Sequence, residues 1–239
     1  MPQLLLAVDT SGKNGGLALT RVGPGPGEIV VLEVIPLAGG AFSAQLVPQI
    51  AALLGTHGYG KSDLGAFAVV SGPGSFTGLR VGLAAIQALA EALQKPIAAI
   101  SLLEAIACGA PEPGRVLAML DAGRGDVYAG DYETDSQDSG RIRMHSERLL
   151  SKEEVVREAD LPDARFKAVV TPDAALAERF RAWLRSSGVQ VKRIEYPNSA
   201  VIARLGWERL RRGQTVRPEE LEANYIRQSD AEIFSKPAS

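Results

Sequence analysis

At 239 residues the chain is long enough for one large domain or two small ones. Its net charge of -2, from 26 Lys+Arg against 28 Asp+Glu, argues against a broad nucleic-acid-binding surface, and 46% apolar residues exclude a disordered chain. A single cysteine, Cys108, excludes an internal disulfide framework and a Cys-based zinc cluster, while His57 and His145 share no ligand spacing.

The opening run MPQLLLAVDTSG has no basic n-region and its apolar stretch stops at Asp9, so it does not read as a signal peptide. Residues 3–8, 15–21 and 28–36 read as three antiparallel strands separated by glycine turns, GPGPG (23–27) being the second. A helix follows over 43–55, with Ser43 as N-cap and Leu46, Val47, Ile50, Leu53 and Leu54 as its apolar stripe; Pro48 predicts a kink or a delayed start. FAVVSG (67–72) reads as a buried strand, GPGSFTG (72–78) as a glycine loop and 79–94 as a strong helix closed by Lys95-Pro96. A strand at 97–100 leads into a short helix at 101–109, whose Ser101 and Glu104 have capping-box spacing.

PEPG (111–114) is the expected linker, dividing the chain into 1–110 and 111–239. Beyond it come strands at 115–122, 126–133 and 142–150, a polar turn TDSQDSG between the last two, and a helix at 151–159. A strand at 168–171, a helix at 172–187, a strand at 189–194, a helix at 198–213 and a nine-residue tail complete the pass. The order βββαβαβα in the first part, with a second strand–helix series after it, predicts two α/β units. No internal repeat is visible in the residues themselves. The longest apolar stretch, 81–93, is broken by Gln87 and Glu91 and falls short of the ~18 residues of a membrane span. A soluble, cytoplasmic protein is the expectation.

Charge is uneven: thirteen charged residues in 1–120 against forty-one in 121–239. A half-chain so poor in charge sits centrally or meets a partner. In helix 79–94 the polar residues Arg80, Gln87, Glu91 and Gln94 fall in a stripe about 60° wide at ~100° per residue. Leu83, Ala84 and Ala90 flank that stripe where charges normally sit, so the helix is either central in its domain or has one side at a protein interface.

Two turns could carry chemistry. GPGSFTG follows a strand and precedes a helix, as phosphate cradles do, but it fits neither GxGxxG nor the P-loop pattern, and its glycines equally suit a tight turn. DTSGKNGG (9–16), with Asp9, Thr10 and Ser11, could hold a metal-bound nucleotide between two strands, or be a hairpin turn made of ordinary turn formers. Nucleophile pairs, HExxH and basic–aromatic strips are missing, and Cys108 reads as a small buried hydrophobe.

The residues VSGPGSFTGLRVGLAAIQALAEALQKPIAAISLLEAIA (70–107) resemble the TsaB (YeaZ) family, the dimerisation subunit of the bacterial machinery that makes threonylcarbamoyladenosine in tRNA. LLLAVDTSGKNGGLAL (4–19), LDAGRGDVYAG (120–130) and NYIRQSDAE (224–232) support it, and GPGSFTGLR is its most specific segment. The resemblance implies an α/β, actin/hexokinase-like (ASKHA) fold of two mixed-sheet subdomains, with dimerisation helices in 1–110. It implies a non-catalytic paralogue of TsaD, whose NHxEGH-like segment binds metal through two histidines. SLLEAI (101–106) stands there, with Leu102 and Ile106 in the histidine positions and Glu104 retained; neither Leu nor Ile ligates a metal. VTPDAALAERF (170–180) stands where an adenosine-binding Gly-Gly turn would be. Ala41-Phe42-Ser43 departs from the family's Arg-His-Ser triplet, and Ala223 from a proline before Tyr225-Ile226-Arg227.

The expected function is therefore scaffolding and activation of TsaD, with the ATPase TsaE and tRNA joining only through that heterodimer, no cofactor of its own, no membrane, and a homodimer when alone. The expected interface comprises Leu46, Ile50, Arg80, Leu83, Ala84, Gln87, Ala90 and Glu91. The alternatives are a small-molecule kinase or ATPase of the same fold using Asp9 and the turn after it, and a metalloprotease, which the missing ligands disfavour.

Overall fold

The computed structural model describes residues 3–23, 25, 28–135, 142–159, 166–185 and 188–226. The turns expected at 23–27 and 134–140 and the end of the helix expected at 172–187 lie partly outside these residues. Arg227, most of the 224–232 segment after it, and the tail also lie outside them.

The first unit comprises Met1–Ala105 and Tyr196–Ala223. Its elements are β1 (Gln3–Asp9), β2 (Asn14–Val22), β3 (Ile29–Ala38), α1 (Phe42–Thr56), β4 (Leu64–Gly72), α2 (Phe76–Leu93), β5 (Ile97–Ser101) and the start of α3 (Leu102–Ala107). The sheet order is β3-β2-β1-β4-β5. The three-strand meander pairs antiparallel, while β4 and β5 add parallel to β1. Central β1 and β4 are buried on both faces, which is why LLLAV and AFAVV read as unbroken apolar runs.

The second unit comprises Ile106–Glu195 and Asn224–Ser239. It contains β6 (Gly114–Gly123), β7 (Asp126–Thr134), β8 (Ile142–Ser151), α4 (Lys152–Ala159), β9 (Ala168–Thr171), α5 (Ala174–Trp183) and β10 (Gln190–Arg193). Its sheet runs β8-β7-β6-β9-β10, repeating the first strand for strand. One core joins Leu117, Met119 and Val127 to Val155 of α4 and Leu176 and Phe180 of α5. Two copies of one topology, in mixed sheets, make the two α/β units that the element order predicts, and together the actin-like fold that the resemblance implies.

Several local expectations change. Helix α6 (Ser199–Arg211), which the division at 110/111 gave to the second part, belongs to the first unit and lies across β1, β2, β4 and β5. Small residues let it approach: a Cβ on Gly206 would stand 2.4 Å from that of Ala68. Glu104 binds it by an ion pair to Arg209, whose guanidinium also donates to the carbonyl of Ala99. Helix α2 starts at Phe76, with Ser75 as N-cap, instead of at 79. Helix α1 starts at Phe42 without a capping side chain; Ser43 is already helical, and Pro48 sits inside the helix on its exposed face without delaying the start. Phe42 itself is buried against Gly15, so the departure from the family triplet fills core space.

By length and composition α2 would cross a membrane, being longer than the 81–93 stretch read from sequence. Its buried residues Leu79, Leu83, Ile86 and Ala90 pack on β4 and α1.

Candidate functional site

The two glycine-rich turns interlock. The Thr10 hydroxyl donates to the Gly78 carbonyl at 2.7 Å, and the Ser75 amide donates to the Ser11 carbonyl at 2.7 Å. A Cβ on Gly74 would lie 2.4 Å from the Ser11 oxygen, and one on Gly78 2.1 Å from the Thr10 oxygen. Backbone oxygens cannot yield as a side chain can, so these positions admit only glycine at this spacing. Two amides of the loop are committed as well, that of Ser75 to the Ser11 carbonyl and that of Gly78 to Ser75 Oγ. Of the two readings of GPGSFTG, the geometry matches the tight turn made for close packing.

Asp9, Thr10 and Ser11 are all buried. One oxygen of Asp9, Oδ1, accepts from the Ser11 amide at 2.8 Å and the Ser11 hydroxyl at 2.6 Å. The Ser11 hydroxyl lies 3.3 Å from that of Tyr196, the first residue of the returning segment. Burial pushes the Asp9 carboxyl above its ordinary value, against the smaller opposing pull of the Ser11 and Tyr196 hydrogen bonds. Burial, and next the Asp9 charge, push the Tyr196 hydroxyl upward too. Gly12 tightens the cluster, because a Cβ there would be 2.8 Å from Tyr196 Oη. A carboxyl held in this way ties the turn after β1 together.

At the former metal positions Leu102 and Ile106 are buried apolar residues, and Glu104 is spent on Arg209. Among the described residues, no three His, Cys, Asp or Glu side chains gather into a metal-binding group.

The residues expected at an interface divide. Leu46, Ile50, Leu83 and Ala90 are at most 6% exposed and belong to the core, so they are not interface contacts of this conformation. Arg80, Ala84 and Glu91 are exposed and Gln87 is half-buried. The polar stripe of α2 therefore has one flank, Leu83 and Ala90, turned to the core and the other, Ala84 with Ala88 and Ala92, turned to solvent.

Beside it, α1 contains no charged residue at all and exposes Ala44, Val47, Pro48, Ala51 and Ala52, with Val47 at 60%. Phe76, 44% exposed, lies under the Arg80 guanidinium at 3.7 Å. Sequence reasoning missed this outer face of α1, although the absence of charge from 34 to 60 was its signal.

The family model described as TsaD, tRNA N6-adenosine threonylcarbamoyltransferase, matches residues 34–234. The tRNA threonylcarbamoyladenosine biosynthesis protein TsaB of Bacillus subtilis is 36% identical over 130 residues, 54% of this chain and 55% of that protein. The Escherichia coli protein of the same name is 27% identical over 95% of this chain and 96% of its own length. The structure of YeaZ from Pseudomonas aeruginosa superposes with a TM-score of 0.73 at 28% identity, covering 93% of this chain and 99% of that one. On this breadth of agreement in sequence and fold, the chain belongs to the TsaD tRNA N6-adenosine threonylcarbamoyltransferase family and, within it, to the TsaB (YeaZ) proteins.

Proposed function

We propose that this chain is the non-catalytic partner subunit of a tRNA threonylcarbamoyladenosine-forming complex. It binds its TsaD paralogue through the outer faces of α1 and α2, and pairs with a second copy through the same surface when alone. The observation that carries this reading is the charge-free outer face of α1 beside Ala84 and Ala88 of α2. Two adjacent helices that expose alanine, valine and proline without charge form the kind of patch that marks protein contact. Arg80 and Glu91 supply a polar rim.

The catalytic role falls to the paralogue. Leu102 and Ile106 offer no lone pair to a metal, and Glu104 is held by Arg209. The kinase-like alternative needs an available Asp9, whereas Oδ1 takes both Ser11 hydrogen bonds and the residue is 1% exposed. TsaE and tRNA join through the TsaB–TsaD pair, in the cytoplasm, where tRNA is modified.

Reconstitution tests the reading. Purified chain with threonylcarbamoyl-adenylate and tRNA should give no modified adenosine until TsaD is added, and TsaD with TsaE should be far less active without this chain. Modified adenosine formed by this chain alone would contradict it.

A further inference from the structure

In the second unit, residues 174–194 carry five Lys or Arg and one acid, Glu178, against the near-balance of the whole chain. The structure gathers these residues on α5 and the edge strand β10. Arg181 lies in the last turn of α5 and Arg185 just beyond its end, and Arg181 Nε donates to the Val191 carbonyl at 3.2 Å, which sets that end of the helix against β10. Val191 packs on the core side of its sheet, so strand alternation puts Arg193 on the same side, with Lys192 opposite. Within α5, Arg179 lies over the ring of Trp183 at 5.7 Å, with Trp183 41% exposed and Phe180 edge-on beneath it.

Other arginines are held in ion pairs, among them Arg115 with Asp131, Arg148 with Glu158 and Arg211 with Glu208. Arg179, Arg181, Arg185, Lys192 and Arg193 are exposed and have no ion-pair partner among the described residues. Unpaired cations spread over a helix and a strand edge suit an extended polyanion better than a single phosphate, and a half-exposed indole suits an anion that carries bases.

We propose that the α5–β10 edge contacts the phosphate backbone of RNA, with Trp183 as a stacking platform. This rests on the functional reading above and makes the RNA the tRNA substrate of the complex. The patch is local, which is why the overall charge of -2 does not reveal it.

The test uses the full chain bound to its TsaD paralogue and measures fluorescently labelled tRNA by anisotropy over a salt series. The triple variant Arg181→Glu, Arg185→Glu, Arg193→Glu should weaken binding at least about tenfold and lower the slope of log Kd against log salt by about 2, as three lost phosphate contacts require. Trp183→Ala should weaken binding with little change in slope, and Arg143→Glu on β8 should change neither. Arg185→Glu alone, beyond the last turn of α5, should give part of the loss if the triple variant folds poorly by circular dichroism. Unchanged affinity and slope would overturn the proposal. So would a parallel loss of TsaD binding by calorimetry, which would make the edge a protein contact. If the wild-type pair modifies tRNA and the variants do so with the same KM, the RNA contact fails while the function stands; if the wild-type pair neither binds nor modifies tRNA, both fail.

Discussion

Thr10 and Gly78, 68 residues apart, are joined by a 2.7 Å hydrogen bond from the Thr10 hydroxyl to the Gly78 carbonyl. With the Ser75–Ser11 backbone bond, it fastens the N-terminal turn of α2 to the turn that ends β1. The position of α2, and with it the outer helical face, is thus fixed by packing of two turns that might have been taken for a nucleotide site.

Gly78→Ala tests this interlock. In an exposed helix the substitution would gain up to about 1 kcal/mol. Here the new methyl meets the Thr10 carbonyl at 2.1 Å, and overpacking of this kind costs about 1–3 kcal/mol. Urea unfolding should show net destabilisation; a stabilised variant would mean the two turns are not in contact.

Asp9→Asn tests the buried carboxyl. Because the folded-state value is raised above the ordinary 3.8, the contribution of Asp9 to stability is full below that value and is lost as pH rises through the raised one. Asparagine keeps an oxygen for the Ser11 bonds and removes the buried charge. The variant should therefore gain on wild type as pH increases from about 4 towards 7. A variant less stable than wild type at neutral pH, by chemical denaturation, would show that the ionised carboxylate is the favourable form.

Arg209→Ala tests the tie between α6 and the first sheet. It removes the guanidinium from Glu104, whose side chain is 10% exposed. Removing one member of a buried pair costs about 3–5 kcal/mol, and the partial exposure of Arg209 brings the expectation to roughly 2 kcal/mol. Arg209→Ala combined with Glu104→Gln should recover part of the loss in the same unfolding assay; no recovery would assign the effect to packing of the arginine stem.

Apolar runs such as LLLAV and FAVV, with glycine and proline punctuation between them, carry the strand–helix order legibly because burial on both faces leaves no other pattern. Helix starts were less legible: Phe42 follows an alanine with no cap, and Ser75-Phe76-Thr77-Gly78 reads as loop because its glycine serves close approach instead of a bend. The return of α6 to the first sheet could not be read, because sequence order gives neighbours and this helix leaves its own. Ser11 and Tyr196 meet across 185 residues for the same reason. The repeat of the two sheets lies in strand order alone. In α2 the narrow polar stripe was visible, but both of its flanks are apolar, and only packing shows that Leu83 and Ala90 face inward while Ala84 faces out.

The account rests most directly on Ala84. It is exposed on the outer face of α2, so Ala84→Arg should leave the fold intact, with a far-UV circular dichroism spectrum like that of wild type and a cooperative melt, lowered only by what dimerisation contributes. At a packed helix interface the same change buries an unpaired charge, at several kcal/mol, enough to abolish a micromolar complex. Sedimentation equilibrium of wild type and variant, alone and with TsaD, is the deciding measurement. The account predicts a wild-type dimer and heterodimer, and a folded variant that stays monomeric and leaves TsaD free. A folded variant that still dimerises and still binds TsaD at wild-type affinity would contradict it.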